Sequence, residues 1–258
     1  MGVIKRYEEA PYRFLPVRIV RSPCESLQGV ADKYNASAEV QLHSQCVYQG
    51  LEEWEESFLK TFAIRKGRIL NVGCGAGREA IAFAGLNFDV TGIDIAGQMI
   101  AAARDNAKTS NVTVKFEVRP AHEIDYPAGH FDYVVFSRAV YSYIPTRDLR
   151  IETLRRVKRV LKEDGLGVFS AYYYGRRRWF SRTYLLDIIR KAVSLVMGNK
   201  FRTEPGDTLL ARVSEASDPR KLFFCHFFAS PQEIIKEIEA AGLTVVEGEK
   251  TGFWVVKP

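Results

Sequence analysis

Cysteine is scarce in this sequence: Cys24, Cys46, Cys74 and Cys225 are the only four in 258 residues. They lie far apart and form no CxxC pair, which argues against a structural zinc site, and no metal is expected. They read instead as reduced, partly buried thiols of a cytoplasmic protein. An excess of one charge is also lacking. The 37 basic residues stand against 31 acidic ones, a formal net charge of +6. That slight excess favours anionic partners without establishing a nucleic-acid role. No apolar run approaches the roughly 20 residues that span a bilayer. The first residues are not those of a signal peptide, because Lys5, Arg6, Glu8 and Glu9 interrupt them.

What is present suits a folded enzyme-sized domain. Apolar residues make up 47% and charged residues 26%, enough for a sizeable core and too balanced for global disorder. Residues 1–66 read as an N-terminal helical cap. Leu51, Trp54, Phe58 and Phe62 are spaced by three or four with glutamates between them, the pattern of an amphipathic helix.

From residue 67 the signals alternate between strand and helix. Arg68 to Val72, Phe88 to Ile93, Val112 to Val118, Phe131 to Phe136 and Val168 to Tyr174 read as strands. Helical stretches lie between them around Ala80–Ala84, Met99–Ala103 and Leu154–Leu161, the last ended by Gly165. Such alternation predicts a parallel sheet with helices on both faces, an α/β doubly wound fold. Residues 175–221 break the pattern and read as an insertion. Phe223 to Phe228, a helix from Pro231 capped by Ser230, and two closing strands near 243–247 and 253–256 complete the domain, residues 67–258.

The strongest motif is Asn71-Val72-Gly73-Cys74-Gly75-Ala76-Gly77, set between the first strand and its helix. Glycines there permit a tight turn and let a ligand approach the backbone, while the helix start offers its amides. Asp94 ends the second strand, where an acid accepts hydrogen bonds from ribose hydroxyls. Dinucleotide sites use GxGxxG around a pyrophosphate. Here the spacing is GxGxG, and Arg78 occupies the place of the last glycine. That favours a nucleoside cofactor without pyrophosphate, S-adenosylmethionine.

Residues 69–170 resemble the class I S-adenosylmethionine-dependent methyltransferase superfamily. The resemblance rests on the glycine motif, on Asp94-Ile95 with Met99, on Phe131-Asp132-Tyr133-Val134-Val135 with Ser137, and on Gly165-Leu166-Gly167-Val168-Phe169. It implies a seven-stranded, mostly parallel sheet with an antiparallel last strand. It also implies S-adenosyl-L-methionine as cofactor, held by Gly73, Cys74, Gly75, Gly77, Asp94, Ile95, Met99 and Ser137, with Tyr34 closing over it. The chain departs from the family at Pro120, where many relatives carry an acid that binds the adenine amino group. Ala121 and His122 are left as the adenine contacts.

Methyl transfer needs alignment first, and a base only where the acceptor carries a proton. His226 is the candidate base, or else a packed histidine, and His43, His122 and His130 are weaker. Tyr141 leads a group with Tyr143, Tyr172, Tyr173 and Tyr174 that lines an acceptor pocket or packs a core. The insertion 175–221, with Arg176-Arg177-Arg178-Trp179, reads as a substrate cover between the fifth and sixth strands. Its basic run is a site for an anionic acceptor, a solvated face, or a membrane-surface helix. The expected function is methyl transfer to an O, N or C nucleophile of a small-molecule acceptor. The alternatives are a tRNA nucleoside methyltransferase and a non-catalytic cofactor-binding module that serves a partner protein.

Overall fold

A computed structural model of the chain describes residues 12–14, 22–64, 66–173, 204, 206–212, 223–248 and 253–258, with single positions at 189 and 196. In chain order, β1 (Tyr12–Phe14) precedes the helices α1 (Pro23–Asn35), α2 (Ser37–Cys46) and α3 (Glu53–Thr61). An alternating stretch follows: β2 (Arg68–Val72), α4 (Arg78–Gly85), β3 (Asp89–Asp94), α5 (Gly97–Thr109), β4 (Lys115–Val118), β5 (Phe131–Phe136), α6 (Arg147–Val160) and β6 (Leu161–Ser170). The last part holds β7 (Asp207–Arg212), β8 (Phe223–His226), α7 (Pro231–Ala240), β9 (Thr244–Glu247) and β10 (Phe253–Lys257).

Seven strands form one sheet in the order β4-β3-β2-β5-β6-β10-β9. The first five run parallel, and β10 is antiparallel to both β6 and β9. This is an α/β, doubly wound arrangement, as the alternating strand and helix signals predict. Both faces of the sheet are covered, so its strands are continuous apolar runs. Val134 joins the core beneath α6 and α7 with Leu70, Leu154 and Ile238, while its neighbour Val135 joins the core beneath α4 and α5 with Ile69, Ala80 and Ile100.

The structure departs from the sequence pattern at several places. Gly165 does not end a helix. The helix stops at Val160, and Gly165 lies inside β6, where an added Cβ would sit 2.9 Å from the carbonyl oxygen of Asp132. The glycine serves close strand approach. Ser230 occupies the helix-start position of α7 without a side-chain cap, and Glu233 instead accepts the N–H of Ala229 at 2.7 Å. Phe223 to His226 does not join the main sheet. It forms a second, three-stranded sheet in the order β1-β7-β8, antiparallel throughout. The N-terminal segment therefore contributes a strand as well as helices, and the insertion contributes β7. Most of the insertion, including Arg176, Arg177, Arg178, Trp179 and Tyr174 before it, lies outside the described residues. Among the described residues, no helix is long and apolar enough to cross a membrane.

Candidate cofactor site

The glycine loop leaves β2 at Val72 and enters α4 at Arg78. Gly73 and Cys74 both donate to the carbonyl of Ile93, at 2.8 and 3.0 Å, which ties the turn to the end of β3. Gly73, Gly75 and Gly77 all have positive φ, at 71°, 53° and 96°. At Gly73 a side chain is also excluded sterically, since a Cβ would lie 2.3 Å from Val140. No side chain caps α4, so its first amides are offered to a ligand.

Asp94 faces this turn. Its Oδ2 accepts the N–H of Gly75 at 2.9 Å and its Oδ1 that of Ala96 at 2.8 Å. Burial pushes its pKa up while the two amides oppose the rise. A carboxylate has about four lone-pair sites, so acceptor capacity remains for ribose hydroxyls. Cys74 is buried beneath the loop, and burial holds its thiol neutral.

The remaining expected cofactor residues surround the same loop unequally. Tyr34, at the end of α1, packs edge-on against His43 of α2 at 5.7 Å. His43 Nδ1 lies 3.6 Å from where a Cβ of Gly75 would stand, so the cap hangs over the turn. Asn35 accepts the N–H of Gln98 at 2.9 Å and fastens that cap to α5. Ile95 is half-buried beside Tyr34. Met99 is fully buried in the core beneath α5. Ser137 continues β5 and accepts from Asn71 Nδ2 at 3.0 Å. Ala121 and His122 form a single helical turn after β4, which the Arg119 N–H anchors to the Asp94 carbonyl at 2.8 Å. His122 Nδ1 is buried without a partner, and burial lowers the ring's pKa.

The two candidate catalytic residues lie elsewhere. Tyr141 is fully buried, donates to Glu237 Oε2 at 2.6 Å and stacks on Phe228 at 5.8 Å. Burial, followed by the charge of Glu237, pushes its hydroxyl well up. His226 is also fully buried. Its Nδ1 is 2.7 Å from Asp207 Oδ1, and its Nε2 has no partner. Strand alternation places His226 with Phe224 on one face of β8 and Phe223 with Cys225 on the other. Phe223 meets Lys33 and Tyr143, so His226 faces away from that side.

A buried polar network connects these residues. Arg150 of α6 binds both oxygens of Glu237 and, at 2.8 Å, Glu204 Oε2, while Glu204 donates its N–H to Asp207 at 2.6 Å. The ligand-type atoms of Glu204, Asp207 and His226 lie within 4.8 Å of one another, although no metal was expected. The Arg150 guanidinium already carries positive charge to Glu204, so the group reads as a hydrogen-bonded network. Sequence reasoning missed Arg150, Glu204, Asp207 and Glu237. A signal existed for two of them: Glu237 interrupts the apolar face of Ile234 and Ile238, and Arg150 precedes Leu154 by one turn.

Residues 69–165 match the model of the methyltransferase domain family. YqeM of Bacillus subtilis, which carries the name of a methyltransferase, is 34% identical over 145 residues, covering 56% of this chain and 55% of that protein. The ubiquinone/menaquinone biosynthesis C-methyltransferase UbiE of Rickettsia massiliae is 28% identical over 183 residues, 66% of this chain and 70% of that one. The chain spans about half the length of the first curated relatives it matches. Among solved structures, a 1,6-didemethyltoxoflavin-N1-methyltransferase of Burkholderia thailandensis superposes with a TM-score of 0.62 at 17% identity, covering 96% of this chain and 95% of that one.

Proposed function

We propose that this chain, which belongs to the class I S-adenosylmethionine-dependent methyltransferase superfamily, binds S-adenosylmethionine on its glycine loop and transfers the methyl group to a small-molecule acceptor. One observation carries the reading: three successive positive-φ glycines at the carboxyl end of β2 face a buried Asp94 that already orders the turn through Gly75. That cradle fits a nucleoside with a short charged tail. Asp94 receives the ribose, the first amides of α4 receive the amino-acid end, and Ala121 with His122 flanks the adenine. Bound there, the cofactor supplies an activated methyl group. The chain's own residues then position the acceptor and exclude water. Tyr34 and His43 close the site from the cap.

A small acceptor is supported by two similar proteins. The name of one specifies a quinone-biosynthetic C-methyltransferase, and the other was solved with 1,6-didemethyltoxoflavin and S-adenosylhomocysteine bound. S-adenosylhomocysteine is expected to raise the melting temperature and NAD to leave it unchanged, because a ligand stabilises only the state it binds. The reverse pattern would remove the cofactor assignment. Retention on tRNA with a steep salt dependence would replace the small acceptor by RNA.

A further inference from the structure

The cap helix α3 is fastened to both of the segments that flank the glycine turn. β2 lies between β3 and β5 in the sheet, so Asp94, which ends β3, and Ser137, which follows β5, stand on opposite sides of Gly73. On the β5 side the loop 137–140 is drawn in close. The N–H of Ser137 donates to the Val72 carbonyl at 2.9 Å, and Val140 stands where a side chain on Gly73 would be. Glu52, the residue before α3, forms an ion pair with Arg138 of this loop and accepts the indole N–H of Trp54 at 3.0 Å. The N–H of Glu52 donates to Glu55 Oε2 at 2.6 Å, and the same oxygen accepts Arg78 Nη1 at 2.9 Å. Arg78 opens α4. A chain of contacts, Arg138–Glu52–Glu55–Arg78, thus runs from the β5 loop to the cofactor helix without passing through the glycine turn. Trp54 is buried against Phe253 of β10, which fixes the middle of that chain to the sheet.

We infer that Glu52 is a positioning residue for the amino-acid end of the cofactor. Through Arg138 on one side, and Glu55 with Arg78 on the other, it sets the gap between the β5 loop and the start of α4. This rests on the reading of the glycine loop as an S-adenosylmethionine site. With the ribose at Asp94, on the β3 side, the tail of the cofactor reaches toward that gap. The nucleoside is held outside it, by Asp94 and the turn at Ala121 and His122. The tail is a flexible chain that ends in an ammonium and a carboxylate, so its binding depends on how the two segments are spaced, and the binding of the nucleoside does not. Arg138 is half-exposed, so its pair with Glu52 adds little to the stability of the fold, and the consequence of losing it is expected in ligand binding. An Arg138 that held the tail's carboxylate by itself would bind it better once Glu52 ceased to compete. The two roles therefore give opposite results when Glu52 is neutralised.

The test compares two probes by their displacement of radiolabelled S-adenosylhomocysteine. One is unlabelled S-adenosylhomocysteine. The other is 5′-methylthioadenosine, which has the same nucleoside and sulfur but no amino-acid end. Glu52→Gln keeps an oxygen for the Trp54 indole and removes the charge. It is expected to weaken S-adenosylhomocysteine about fivefold, the upper range for an exposed pair, and to leave 5′-methylthioadenosine unchanged. Arg138→Leu should do the same, and the double variant should lose no more than either single one, because the two side chains act as one unit. Equal loss of both probes in Glu52→Gln would show a role in folding the cap alone and overturns the inference. Unchanged or tighter S-adenosylhomocysteine in that variant overturns it as well, and so do losses that add in the double variant. Failure of S-adenosylhomocysteine to bind the unaltered chain instead overturns the cofactor reading, and this inference with it.

Discussion

The two sheets of this molecule carry different kinds of information. In the seven-stranded sheet, β2, β3, β4, β5 and β6 follow one another along the chain with a helix or short loop between neighbours. The pairs β2–β3, β3–β4 and β5–β6 are local units that periodicity and glycine placement suffice to read, while β2 pairs with β5 across the two strands between them in the chain. In the three-stranded sheet, Tyr12 pairs with Arg212 and Leu209 with Phe224. β7 and β8 are neighbours in the chain, but β1 comes from its other end, and nothing local announces that pairing. The first sheet holds the cofactor loop. The second packs against α1, where Phe223 meets Lys33. The glycine loop and Asp94 are written locally, while the sheet that includes β1 is completed at long range.

Arg150 connects the two regions. It is fully buried, binds Glu237 of α7 at 2.8 Å, and reaches Glu204 just before β7. Replacing it with methionine leaves the buried Glu237 with only the more distant Arg147, at 4.0 Å, as its cation, and breaking a buried pair costs about 3–5 kcal/mol. Arg150→Met is therefore expected to lower the urea midpoint more than any other single change discussed. Arg150→Met combined with Glu237→Gln should recover part of the loss, because no lone charge is then left inside. An unchanged midpoint in the single variant would mean that the second sheet is not clamped through this residue.

The cofactor side should respond differently. Asp94→Ala is expected to weaken S-adenosylhomocysteine by about 1.5–3 kcal/mol, the cost typical of a lost charged hydrogen bond. Calorimetry on the folded variant checks this, and unchanged affinity would remove Asp94 from the site. The contrast with Arg150 shows what was legible in the sequence. GxGxG, Asp94 and the strand patterns announce the first sheet and the cofactor class. Met99 was read from the same pattern, yet the structure buries it completely, because an apolar helix position serves the core as readily as a ligand. His226 looked available for proton transfer because residue type and spacing say nothing about which face of β8 it shares with Asp207. Tyr141 sat correctly beyond β5, but its hydroxyl is taken by Glu237, ninety-six positions later in the chain.

The smallest expected effect concerns the other arginine clamp, which fixes the helical cap to the cofactor helix. Arg78 stands where dinucleotide enzymes need glycine. It binds Glu55 of α3 through two hydrogen bonds of 2.9 and 2.7 Å, Glu79 at 2.6 Å, and the carbonyl of Gly50 at 2.6 Å. One guanidinium thus serves two buried carboxylates. Burial first, and the charge of Glu79 next, push Glu55 up from its ordinary 4.5 to about 8. Below pH 4.5 the group is protonated whether the chain is folded or not, and it adds no pH dependence. Between that pH and about 8 the unfolded chain has released the proton that the folded chain keeps. Folded protein then binds more protons, so stability falls as pH rises through this window and levels off above it. Glu55→Gln cannot titrate and should flatten that fall, while at pH 5 it should differ little from the parent, whose Glu55 is itself neutral there when folded. Urea midpoints measured from pH 5 to 8 decide the matter. Equal slopes in the two proteins would show that Glu55 is ionised throughout and that Arg78 neutralises both acids by itself.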